Sequence, residues 1–229
     1  MGEKRRGRQT PAESVVLPYK ASKGPEAVEL YNSSGRQALE WQELLVKNIM
    51  AANDDELWTH QKFGFSVPRR NGKNEIAAMR EFWGLVSGEQ ICHTTHRTTT
   101  SGSVWRRLCR ILSDGGYEEV ARIPKDRSKP PDKWFHPTKQ YGLESVEMPD
   151  GGRCAFRTRT PNGGLGEGFD LLVMNNLTVK KSGRTWNQPD QGEPEAECET
   201  CLSMILYRNR IQSGNLFSVQ YPNDILIFR

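Results

Sequence analysis

No stretch of this sequence is apolar for long enough to cross a membrane, and its start lacks the hydrophobic core of a secretory signal. Membrane-spanning and exported proteins are excluded on that reading, and the expected setting is soluble and cytoplasmic. Apolar residues are scarce too, at 35% of the 229 residues, and the mean hydropathy is −0.71. So polar a chain leaves room for poorly ordered segments beside a core. The 5 cysteines (Cys92, Cys109, Cys154, Cys198 and Cys201) are odd in number and scattered, which argues against a disulfide framework. "CETC" at Cys198 to Cys201 has zinc-knuckle spacing, but no second Cys pair or His pair follows it, so no metal site is expected. Positive charge is only mildly in excess, at +4, which suits a polyanionic partner without demanding one. The basic cluster "EKRRGR" at Glu3 to Arg8 reads either as a solvated tail or as a contact to a phosphate backbone.

What is present is an alternation of strand and helix patterns. Residues 1–30 are basic, polar and punctuated by Pro and Gly, with one short extended piece at Ser14 to Leu17. From Gly35 to about Ala52, the residues Ala38, Trp41, Leu44, Leu45 and Ile49 recur at helical spacing. "KFGFSVP" is a short buried strand stopped by Pro68. Ile76, Met79, Trp83 and Val86 mark a second helix ending near Gly88, and "EQICHTT" is the next strand. A third helix runs from Thr100 to about Ser113, followed by a Lys/Pro/Asp-rich loop from Pro124 to Pro137. Strands are expected at Leu143 to Met148, at Arg153 to Arg157 and in "FDLLVM", the last after the glycine segment "NGGLGEG". Apolar strands alternating with helices indicate an α/β fold with a mostly parallel sheet covered by helices. After Met174 the character changes: "NNLTVKKSGRTWNQPDQGEPEAECET" is polar and without clear periodicity, so residues 175–229 read as a divergent, poorly ordered tail to a domain spanning 31–174.

One stretch invites a chemical reading. In "SVPRRNGKNE", Ser66 to Glu75, a strand, a Gly/Lys loop and a helix follow one another. That succession builds phosphate-binding loops, because N–H groups at a helix start face the anion and the helix dipole favours negative charge. Lys73, after Gly72, stands where a lysine can meet the β- and γ-phosphates. The common pattern has an earlier glycine and a Ser or Thr after the lysine. Here Val67 or Pro68 stands near the glycine position and Asn74 replaces the hydroxyl residue, so a basic surface turn is the rival reading.

The neighbouring segments add to this. "RQALEWQELL" lies upstream, "HTTHRTTTSGSVW" follows the next strand, and "GGLGEGFDLLV" comes later. In this order, over Gly7 to Val173, the chain resembles the ATPase domain of bacteriophage terminase large subunits, the motors that pump DNA into a capsid. The resemblance implies an incomplete P-loop NTPase-like fold, with ATP and Mg2+ as cofactors. It also implies double-stranded DNA, a terminase small subunit and a portal protein as partners, in the cytoplasm of a bacterial host. Carried over residue by residue, Trp41 and Gln42 match the segment that contacts adenine. Asn71, Gly72, Lys73 and Asn74 match the phosphate loop, and Arg69 and Arg70 its arginine-bearing part, where a guanidinium can stabilise charge on the γ-phosphate. His96 and Arg97 fall in the segment that couples nucleotide state to DNA contact. Trp41 as a core residue and His96 as a satisfied loop residue are the alternatives, and His93 is assigned to the strand.

The resemblance breaks at one point. The family's strand should end in an Asp-Glu pair, of which the aspartate holds magnesium and the glutamate orients the attacking water. Here Asn175 and Asn176 occupy those positions. An amide brings the metal no charge and cannot act as a base. Asp170 does not substitute, because it begins the strand, more than about 10 Å from its end. The coupling segment and nuclease domain expected downstream are also missing from these 229 residues. Read two bases later, the codons for Tyr207 to Gln220 can encode Ser-Asn-Pro and then Leu-Phe-x-Gly-Thr, which resembles the family's next strand. The expectation is a truncated prophage terminase, out of frame from about Met174, with hydrolysis lost. Sequencing the locus tests this, and finding no intact downstream frame would sink it. The rival expectations are an inactive, misfolded relic and a non-catalytic DNA-binding module using the basic tail with Arg106 and Arg107.

Overall fold

A computed structural model describes residues 9–53, 57–68, 71–124, 126, 132–159, 168–177, 202–208 and 224–227; from Asn176 onward it describes backbone alone. The elements run β1 (Glu13–Val15), β2 (Ala21–Ser22), α1 (Gly24–Asn32), α2 (Glu40–Ile49), β3 (Ala51–Ala52), β4 (Lys62–Val67), α3 (Lys73–Val86) and β5 (Gln90–Thr95). They continue with α4 (Thr98–Asp114), β6 (Glu118–Glu119), β7 (Trp134–Thr138), β8 (Ser145–Glu147), β9 (Arg153–Thr158), β10 (Leu171–Leu177), β11 (Leu202–Arg208) and β12 (Asp224–Ile227).

Apart from a small β2–β3 pair, the described strands form one sheet in the order β1-β12-β4-β11-β10-β5-β9-β8-β7-β6. The pairings make β12, β4, β10, β5, β9, β7 and β6 run in one direction, and β1, β11 and β8 against it. The fold is therefore α/β with a mostly parallel sheet. Its helices pack on the face that carries Phe63, Phe65, Val67, Ile91, Cys154, Phe156, Leu171 and Val173. The alternation follows from the period of two along each strand, which sends every second side chain to the same face. α3 contributes Ile76, Met79, Phe82 and Leu85 to this layer, all wholly buried.

Most of the expected elements are present, within a few residues at their ends. α1 is the addition: it straddles the end of the polar segment 1–30, where no helix was expected, has Pro25 in its first turn, and buries Ala27, Val28 and Tyr31. Proline is compatible with a first helical turn, where its missing N–H has no intrahelical partner to lose. β7 lies partly inside the stretch read as a loop; Trp134 and Phe135 are wholly buried there. The segment read as a divergent tail supplies β11, which pairs antiparallel with both β4 and β10, and β12, which pairs parallel with β4. No described helix is long and apolar enough to cross a membrane.

Candidate functional site at the carboxyl ends of the strands

Parallel strands followed by helices bring their carboxyl ends, with the loops behind them, to one edge of the sheet, where open α/β folds bind ligands. The loop after β4, His96 and Arg97 after β5, Arg159 after β9 and Asn175 near the end of β10 all lie at that edge.

The β4–α3 loop closes through Gly72, the residue before the helix, at φ 79° in the left-handed region. A side chain there would be strained by the backbone alone, and a Cβ would sit 2.9 Å from Gln42 Nε2. Gln42 is buried at the first turn of α2. Its Oε1 accepts from the Leu39 N–H (2.9 Å), and its Nε2 donates to the Gly72 carbonyl (3.2 Å). It thus braces the β4–α3 loop from the α2 side. Its neighbour Trp41 belongs to the hydrophobic core. Asn71 Nδ2 donates to the Pro68 carbonyl at 3.4 Å, closing the outer part of the turn.

Lys73 opens α3. A carboxylate in the first turn of a helix competes with any external anion for the positive end of the dipole, and α3 has one, Glu75. That carboxylate is engaged elsewhere: the Tyr31 hydroxyl donates to Glu75 Oε2 at 2.5 Å, and Arg107 of α4 pairs with Oε1. Burial raises the Tyr31 pKa, with Arg107 and Arg36 pulling the other way, so the phenol keeps its proton and remains the donor.

Asn74 and Asn175, distant in sequence, meet here. Asn175 is buried, and its Nδ2 donates to Asn74 Oδ1 at 3.2 Å, while its own Oδ1 lacks a hydrogen-bond partner. Magnesium does not fit this pair, because both members are neutral and the Asn74 oxygen is already taken by an N–H. Among the described residues, no group of three or more His, Cys, Asp or Glu could hold a metal ion.

On the other side of β10, β5 and β9 run parallel and in register, and the Arg159 N–H donates to the Thr95 carbonyl at 2.8 Å. Thr98 and Thr158 share a hydrogen bond at 3.0 Å, which fixes the start of α4 against the end of β9. His96 and Arg97 follow β5 at this edge and are both exposed. The His96 pKa is pushed below the ordinary 6.5, first by desolvation and then by the like charges of Arg97, Arg159 and Lys73. The imidazole thus feels cations from α4, β9 and α3 together. Burial also lowers the Arg159 pKa.

The structure brings together Gln42, Asn71, Gly72, Lys73 and Asn74, adds Asn175 to them, and sets His96, Arg97 and Arg159 at the same edge of the sheet. Arg69, Arg70, the side chain of Asn176, Cys198, Cys201 and the Glu3–Arg8 cluster lie outside the described residues. Arg159 is the residue the sequence reading passed over. Its signal was positional, since it follows β9 as His96 follows β5. No protein-family model matches this chain, and no curated protein or solved structure matches it either.

Proposed function

We propose that this chain is the nucleotide-binding part of a terminase-like DNA-packaging ATPase, one that holds the phosphates of ATP and has lost their hydrolysis. One observation carries the reading: Lys73 heads α3 directly behind a left-handed Gly72 at the carboxyl edge of the sheet, with the amides of Asn74 and Asn175 paired beside it. Backbone N–H groups and the dipole of α3 would face the phosphates, and Lys73 would supply the point charge. Gln42 would hold the loop in shape from the α2 side. Loss of hydrolysis follows from the amides: Asn175 offers neither charge to a metal nor a proton acceptor to water. Double-stranded DNA, a terminase small subunit and a portal protein are the partners this reading carries, and they rest on the sequence resemblance.

The test is binding of a fluorescent ATP analogue, in magnesium buffer, beside Lys73→Ala. The parent chain should bind saturably, and Lys73→Ala should bind at least about tenfold more weakly, the worth of one charge-assisted contact. Turnover should be undetectable in both. Saturable binding that ignores the Lys73 substitution, or steady hydrolysis abolished by it, would each overturn part of the reading.

A further inference from the structure

Glu75 occupies the third position of α3, two residues after Lys73. A carboxylate at that position commonly turns back to the N–H of the residue before the helix, which here is Gly72. Its charge also offsets the positive end of the dipole. Both habits would set it against an incoming phosphate. In this chain other elements hold both of its oxygens. The Tyr31 hydroxyl of α1 donates to Oε2 at 2.5 Å, and Arg107 of α4 pairs with Oε1. The two holders are themselves tied together, since Arg36, shortly after α1, pairs with Asp114 at the end of α4 at 2.8 Å. The carboxylate is not far from the loop. A Cβ on Gly72 would lie 3.7 Å from Glu75 Cγ, so rotation of a released side chain returns its charge to the turn.

We infer that Tyr31 and Arg107 are positioning residues for the β4–α3 loop: by holding Glu75 toward α1 and α4, they keep its carboxylate off the turn that receives the phosphates. The inference rests on the nucleotide-binding reading above and deepens it. Both residues act through Glu75 and not by contact with the nucleotide. Once released, the carboxylate competes for the N–H groups of the turn and repels the phosphates, so affinity falls although Lys73 and Gly72 are intact. The two holders separate positioning from plain electrostatics. Arg107 brings a positive charge of its own, whereas the Tyr31 hydroxyl brings none. Removing that hydroxyl therefore changes nucleotide binding only by freeing Glu75. Glu75→Gln keeps the shape of the side chain and takes away the charge that needs restraint.

The experiment is titration of the whole chain with the fluorescent ATP analogue in magnesium buffer. It compares the parent, Tyr31→Phe, Arg107→Gln, Glu75→Gln and the two double variants that carry Glu75→Gln, each at a temperature where it melts cooperatively above. Tyr31→Phe should weaken binding about threefold and Arg107→Gln about fivefold, the scale of one carboxylate brought to a helix start. On the Glu75→Gln background, each of the two should change affinity by less than about twofold, because no charge is left to restrain. A loss in Arg107→Gln that persists in full with Glu75→Gln shows the arginine acting by its own charge, and overturns the inference. So does a loss in Tyr31→Phe that Glu75→Gln fails to suppress. If Lys73→Ala weakens binding while neither Tyr31→Phe nor Arg107→Gln does, the phosphate-loop reading stands and the positioning role falls. If a cooperatively melting parent binds no nucleotide, both fall.

Discussion

Gly152→Ala should destabilise the chain by more than about 3 kcal/mol, enough to take a marginally stable domain close to unfolding. Gly152 lies in the turn between β8 and β9, where its carbonyl accepts from the Met148 N–H at 2.8 Å. A Cβ there would fall 2.0 Å from the carbonyl oxygen of Leu85 and 2.8 Å from its carbonyl carbon. Both are backbone atoms of a helix whose Leu85 side chain is wholly buried, so no rotamer change relieves the collision. The turn would have to lift off α3 and open the packing of Met148 and Cys154, both in the core cluster. The adjacent Gly151 is the control. It has φ 83° and nothing within 4 Å of its missing Cβ, so Gly151→Ala should cost about 1 kcal/mol from backbone strain alone. Urea denaturation of the two variants checks the contrast, and similar losses would show that the close approach at Gly152 is not what matters.

The second large effect is expected at Glu81. His93 Nδ1 and Glu81 Oε1 are 2.5 Å apart, both side chains are wholly buried, and the imidazole stacks on Phe156 at 5.5 Å between centroids. The remaining atoms, Glu81 Oε2 and His93 Nε2, have no hydrogen-bond partner. Each group is therefore satisfied chiefly by the other. Glu81→Ala removes the partner, leaves a polar ring stranded under α3 and opens a cavity, which should cost about 3–5 kcal/mol. Replacing both residues, as Glu81→Met with His93→Leu, should recover most of that loss, because two apolar side chains need no partner. Equilibrium unfolding of the parent, the Glu81→Met and His93→Leu single variants and the double variant closes the cycle. If the double variant is as unstable as Glu81→Ala, the pair itself is not the source of the loss.

Neither prediction could have been written from the sequence. Gly152 sits beside another glycine in an unremarkable turn, and its closeness to Leu85 arises only when the β8–β9 hairpin packs against the end of α3. His93 was legible as a strand residue. That its ring meets Glu81 requires β5 and α3 to lie in adjacent layers, in a register that periodicity within each element does not contain. The same holds for Tyr31 and Glu75, which join α1 to α3, and for Gln42, which reaches the Gly72 carbonyl from α2.

The sequence by itself determined the succession β4, loop, α3, β5, α4, because the period of apolar residues and the stops at Pro68, Gly72 and Gly88 are local properties of the chain. It also placed Lys73 at a helix start and Asn175 and Asn176 near the end of the strand that carries "FDLLVM". α1 was not legible, since a nine-residue helix opening on Pro25 shows too few turns for its period to stand out. The tertiary structure decided what the loop faces. Sheet order and register set Arg159 against Thr95, Asn175 against Asn74, and β11 between β4 and β10. Those neighbours are separated by tens of residues, and contacts of that kind are chosen by the packing of whole elements, on which local pattern has no bearing.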